Sequence, residues 1–162
     1  MQTKPREAFV DLYYEDVEIG DVVLTDSHTF TNQEIRRFAD LTRDQHPLHT
    51  DEKYCRNTQF GVPIVHGLFG LSIIEGLKAE LQLYQNTSVA SLGWDKVRFR
   101  KPIVTGDTVH VRVEFISKRE SRNGPHGIII ERTTLINQHD ETVIDAEHAS
   151  LLYRKPAQQT SA

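Results

Sequence analysis

Asp44, His46, His49, Asp51 and His66 fall within 23 consecutive residues, in or beside stretches that read as loops. Loop backbone is largely unpaired, so such a stretch must lie at the surface or line a cavity. Pro47 fixes one φ angle between Asp44 and His49, which limits how far the two side chains can diverge. A carboxylate and an imidazole held together can take a proton from water and donate or relay one. Their ordinary pKa values, about 3.9 and 6.5, bring both within titrating reach of neutral pH after modest shifts. The chemistry this suggests is the addition or removal of water on a small organic substrate. His66-Gly67 then opens an apolar segment that reads as a helix. The first amides of a helix have no intrahelical partner and sit at the positive end of its dipole. Aimed at a substrate carbonyl they would stabilise an enolate-like oxyanion, an effect of roughly 3 kcal/mol per donor. Gly67 has no side chain to obstruct that approach.

Each residue also has a plainer reading. Asp44 alone suits an Asx-turn, and His49 alone suits a hydrogen-bonded structural histidine. His66 reads better as a residue that caps or orients the helix start. His46, His49, His66 and Asp44 carry donor types that suit zinc or iron. The i, i+4 helical histidine pair of common hydrolytic zinc sites is missing, so no metal is expected. Cys55, the single cysteine, lies among charged and polar neighbours in Lys53-Tyr54-Cys55-Arg56-Asn57 and reads as a bystander thiol.

Composition narrows the field. The chain has 162 residues, 38% hydrophobic and 26% charged, which is the profile of one globular domain. A net charge of −4 without a basic run argues against nucleic acid as a partner. One cysteine excludes an intrachain disulfide. No stretch approaches the ~20 apolar residues of a membrane span, and the N-terminal residues do not resemble a signal peptide, so a cytoplasmic location is expected and no membrane partner.

The elements that must position these residues can be read in order. Residues 22–30 suit a strand entered through Ile19-Gly20-Asp21. Thr31 with Glu34 is a capping box that starts a helix over 32–41. A loop with Pro47, a short polar helical stretch near 51–57 and a helix over 64–83 follow. That last helix is apolar almost all round in its first turns, which predicts burial; Gly67, Gly70 and Gly76 predict close approach by another element. Residues 89–100, 108–120, 127–137 and 142–154 read as strands. The clearest alternation sets Val109, Val111, Val113 and Phe115 against His110, Arg112 and Glu114. In the first of the four, the apolar phase changes beside Gly93, which predicts a bulge. The expected architecture is α+β, an antiparallel sheet wrapped around one buried helix. A single domain over 10–155 is expected, with 1–9 and 156–162 as loose ends; the whole first dozen residues lack periodicity.

Two motifs carry a resemblance. Asp44-Gln45-His46-Pro47-Leu48-His49-Thr50-Asp51, followed by Pro63-Ile64-Val65-His66-Gly67, is similar to the pattern of MaoC-like, (R)-specific enoyl-CoA hydratases. Gly20-Asp21 and the stretch from Lys101-Pro102 to Gly106-Asp107 extend the likeness over nearly the whole chain. The resemblance implies a hot-dog fold, a long central helix wrapped by an antiparallel sheet. It implies hydration of a 2-enoyl-CoA to a (3R)-3-hydroxyacyl-CoA, or the reverse dehydration. Asp44 and His49 would activate the water and protonate the α-carbon, and the Gly67 amide would hold the thioester oxygen. No cofactor is implied beyond coenzyme A as part of the substrate, and the partner is a second copy of the chain, in a homodimer or larger assembly with sheets joined edge to edge.

The chain departs from the pattern twice. His46 stands where the family commonly has Asn, and Glu75 where some members have Ser; Ser72, one turn earlier, is a candidate substitute. The acyl group, and the choice between coenzyme A and acyl carrier protein, are therefore open. The cationic residues at 96, 98, 100 and 101 read as a solvated strand face, or alternatively as partners for the phosphates of coenzyme A. Two other functions suit the same fold, an acyl-CoA thioesterase and a non-catalytic acyl-CoA-binding module.

Overall fold

The computed structural model describes residues 9–156, apart from residue 123. Strand β1 (Val22–Thr29) leads through Phe30 into helix α1 (Asn32–Thr42). The expected capping box is formed: the Glu34 amide donates to Thr31 Oγ1 at 3.3 Å, and the Thr31 amide donates to Glu34 Oε2 at 2.9 Å. Two single-turn helices follow, α2 (Pro47–Thr50) and α3 (Glu52–Cys55), then the long helix α4 (Gly67–Glu80). The remaining strands are β2 (Ser88–Phe99), β3 (Thr108–Glu120), β4 (His126–Asn137) and β5 (Thr142–Tyr153). They form one antiparallel sheet in the order β1-β3-β4-β5-β2.

The sheet follows its alternation closely. Val109, Val111, Val113 and Phe115 are all fully buried and pack with Ile74 and Leu77 of α4 in one core. Gly93 has φ +139, and the β2–β5 register shifts between Ser91 and Gly93, so the expected bulge is present. Gly70 permits the approach of helix to sheet: a Cβ there would lie 2.6 Å from Ile144 Cδ1. Gly76 does not serve that purpose, since nothing lies within 4 Å of where its Cβ would be.

Three further expectations are corrected. The expected helix over 64–83 is shorter at both ends. Ile64 bridges Val104 and the Val65 amide donates to the Ile103 carbonyl, so this segment is extended until His66. Gln82, at φ +56, ends the other side. Burial of α4 is also one-sided: Leu68 is 65% exposed, and Ser72, Glu75, Gly76 and Ala79 share its open face. The sheet covers only one flank of the helix within a single chain. Finally, Phe9 and Leu12 are not loose. Phe9 is buried against Phe115, and the Leu12 amide donates to the Leu83 carbonyl, because the core needs their apolar surface beside the end of α4. Of the other expected loose residues, Pro156 is exposed and outside any strand, and 1–8 and 157–162 lie outside the described residues.

Candidate active site

Three segments converge at the N-terminal end of α4. The first is the turn after α1, where Arg43 adopts a left-handed conformation at φ +67 and redirects the chain at Asp44. One Asp44 oxygen accepts from the His46 amide at 3.3 Å, so the Asx-turn reading holds, with the second oxygen left for other work. The second segment is α2, with Pro47 at its first turn and His46 as its N-cap; His46 Nδ1 accepts from the Leu48 amide at 3.2 Å. The third is the extended stretch 64–66, held by strand-like pairing to 103–104.

Two backbone carbonyls set the histidine tautomers. His49 Nδ1–H donates to the Ile64 carbonyl at 2.7 Å. Because a carbonyl only accepts, the lone pair of neutral His49 is on Nε2. His66 Nε2–H likewise donates to the Asp44 carbonyl at 3.0 Å, tying the Asp44 turn to the start of α4. The two rings stack at 3.8 Å. Burial pushes the His49 pKa below its ordinary value; the hydrogen bond to Ile64 opposes this, and neighbouring His66 adds to the lowering. His49 is thus a neutral base at pH 7.

Asp44, His49, Gly67, Phe38, Phe99 and Ile144 line one cavity of about 610 Å³. A Cβ on Gly67 would come within 2.8 Å of the Phe99 ring, so glycine keeps the first turn of α4 open beside that wall. Nitrogen or oxygen atoms of Asp44, His49 and His66 lie within 4.8 Å of one another, a spacing that one water molecule or a cation can bridge. His46 is outside this trio, its ring 6.2 Å from that of His49.

Not every anticipated residue arrives here. Ser72 donates its hydroxyl to the Leu68 carbonyl at 2.9 Å and does not line the cavity. Glu75 belongs to a second cavity farther along α4. His66, 2% exposed, does line the cavity, and its bond to the Asp44 carbonyl fits the plainer reading of a residue that orients the helix start. Cys55 is fully buried, and burial raises its thiol pKa, consistent with a bystander. Arg100 and Lys101 line the cavity but are paired with Asp145 at 2.6 Å and Glu141 at 2.5 Å. The aromatic walls Phe38, Phe60 and Phe99 escaped the reading of the sequence. The one available signal was an aromatic residue in the polar helix α1.

A helix cradled by an antiparallel sheet, with an acid and an imidazole at its entrance, defines a hot-dog domain of the hydratase and dehydratase kind. Residues 16–135 match the MaoC like domain, and the chain belongs to this MaoC-like dehydratase family. It is 36% identical over 108 residues to an (R)-specific enoyl-CoA hydratase of Aeromonas caviae, covering 67% of this chain and 78% of that protein. It is 34% identical over 101 residues to Protein MaoC of Klebsiella aerogenes, covering 62% of this chain but only 30% of that relative's length. The solved structure of a monoamine oxidase regulatory protein from Archaeoglobus fulgidus superposes with a TM-score of 0.86 at 32% identity, covering 92% of this chain and 99% of the other. Among the described residues no helix is long and apolar enough to cross a membrane.

Proposed function

We propose that this chain catalyses the reversible addition of water to a 2-enoyl-CoA, giving a (3R)-3-hydroxyacyl-CoA. The observation that supports it most is the convergence of Asp44, His49 and Gly67 on one cavity, with the His49 lone pair fixed on Nε2. In the reaction the water oxygen bonds to C3 of the enoyl group. One water proton passes to the Asp44–His49 pair, and the pair delivers one proton to C2, using the electrons of the C2=C3 double bond. The Gly67 amide holds the thioester oxygen while negative charge gathers there. Only water is consumed, so the step as written draws on no cofactor or metal.

The same reading gives the open flank of the molecule a purpose. Strand β2 is a sheet edge with Val89, Leu92 and Phe99 exposed, beside the open face of α4. An unpaired apolar edge invites a second strand, and a homodimer joined along β2 would cover both.

Loss of enoyl-thioester absorbance measured together with a thiol reagent tests the class of reaction. Hydration removes the absorbance without releasing thiol and vanishes in Asp44→Asn and His49→Gln. Released thiol would instead favour a thioesterase, and ligand-dependent stabilisation without turnover a binding module.

A further inference from the structure

His46 stands outside the trio of Asp44, His49 and His66, yet it is bonded to both catalytic segments. Its amide donates to Asp44 Oδ1 at 3.3 Å, and its carbonyl accepts from the His49 amide at 2.9 Å. Those two bonds use only the backbone of residue 46. The third belongs to its side chain. Pro47 has no amide hydrogen, so Leu48 carries the first amide that α2 must satisfy, and it donates to His46 Nδ1 at 3.2 Å. An amide N–H only donates, so Nδ1 is the acceptor and the ring hydrogen of neutral His46 is on Nε2. With one nitrogen occupied and the other carrying hydrogen, this ring has no lone pair for a substrate or water. His49 differs, because its Nε2 lone pair faces the cavity unclaimed by the backbone.

The Leu48 amide is one link in a closed chain of bonds. The Leu48 carbonyl accepts from the Ile64 amide at 3.0 Å, and the Ile64 carbonyl accepts from His49 Nδ1–H at 2.7 Å. His49 follows Leu48 directly, so the chain runs from the His46 ring through Leu48 and Ile64 to the His49 ring. Helix α2 is a single turn of four residues, too short to hold its own shape. Its place therefore depends on bonds to its surroundings, and the His46 ring supplies the one at its N-terminus. Without that acceptor the Leu48 amide would turn toward water, α2 would tilt, and the His49 ring would lose its fixed approach to the Ile64 carbonyl.

We infer that His46 is a positioning residue, whose Nδ1 caps α2 and thereby holds His49 in the tautomer and place that hydration needs. The inference rests on the hydration reading of the cavity. It also gives the departure at position 46 a physical content. Asn Oδ1 and His Nδ1 are both joined to Cβ through Cγ, so either can accept from the second amide of a helix. The His46 ring also meets Tyr54 edge-on, with centroids 6.4 Å apart, so loss of packing must be separated from loss of the acceptor.

The test compares His46→Asn, His46→Phe and His46→Ala in the full chain. Asn keeps an acceptor without the ring, Phe a ring without an acceptor, and Ala neither. Kinetics on a short 2-enoyl-CoA are measured beside ¹⁵N imidazole spectra of the substrate-free protein. Phe and Ala are expected to lower kcat at least about tenfold with KM within about twofold, since a slightly misplaced base costs a large factor in rate. Asn should stay within about threefold of the native protein. In the spectra His49 is expected as the Nδ1–H tautomer in the native protein and the Asn variant, and as a mixture of tautomers in Phe and Ala. Native activity with Phe would assign the effect to packing against Tyr54, and Asn no better than Ala would make the imidazole itself essential. Either result overturns the inference, as does an unchanged His49 tautomer in all three variants. Absence of turnover on every enoyl thioester overturns the hydration reading instead, and the spectra, which need no substrate, still decide whether His46 holds His49.

Discussion

The two ends of α4 use the same residue types in opposite ways. At its N-terminal end, His49 and His66 each give one ring hydrogen to a backbone carbonyl, and Asp44 stays exposed. The His49 lone pair is therefore left for a substrate or water. At the C-terminal end, Lys78, Glu131, Tyr84 and His148 satisfy one another in the core. Burial would raise the Glu131 carboxyl, yet the Lys78 ammonium and the Tyr84 hydroxyl hold it at about 2. Titratable groups restrained by the backbone are free to exchange protons. Those restrained by one another are locked in charge and shape the space around them.

Breaking the first end should cost activity and spare stability. Asp44→Asn and His49→Gln are each expected to lose at least about 10³ in kcat/KM, and the double variant to lose little more than either, because the residues act as a unit. Steady-state kinetics beside thermal melts would show it. Gly67→Ala is the next largest, at about 10²-fold in kcat/KM. Its Cβ would fall 2.8 Å from the half-exposed Phe99 ring, which can shift, so the melting temperature should move little while the approach to the amide narrows.

Breaking the second end should do the reverse. Lys78→Met leaves Glu131 buried without its cation, at a cost of about 3–5 kcal/mol in denaturant unfolding. Lys78→Met/Glu131→Gln removes both charges and should recover most of that loss. Equal destabilisation by both would mean that packing, not charge, makes Lys78 important.

The smallest effect is in the pH profile. His49 titrates below its ordinary value, so its neutral form persists through pH 6.5 and the acid limb of kcat/KM should fall below that point. Protonation of His49 is disfavoured by folding, so its contribution to stability is present above the unfolded pKa and lost as pH falls. An acid limb above pH 7 would remove His49 as the base.

Much of this comparison was legible in the residues, but unevenly. The alternation from Val109 to Phe115 defined a strand without help from distant parts of the chain, and Thr31 with Glu34 announced the start of α1. Asp44, His49 and Gly67 were brought together as expected because two short, turn-rich segments supply all three. The network was not legible, since Lys78, Glu131 and His148 are up to 70 residues apart and meet only through the register of β4 and β5. Lys78, a charged residue near the end of α4, carries no local sign of burial and is only 5% exposed. Phe9, without periodic neighbours, gave no local sign of joining the core. Glu75 and Ser72 were anticipated at the active site by likeness to relatives, whereas helical geometry carries them along the open face of α4.

The central claim is that the Asp44–His49 pair adds water across the double bond and returns a proton to C2. Its most direct test is a single turnover of a short 2-enoyl-CoA in D₂O, with the product analysed by NMR and chiral separation. The expected product is a (3R)-3-hydroxyacyl-CoA carrying one deuterium at C2, formed by the native protein and absent with His49→Gln. A free acid with released coenzyme A, or the same labelled product at an undiminished rate from His49→Gln, would contradict it.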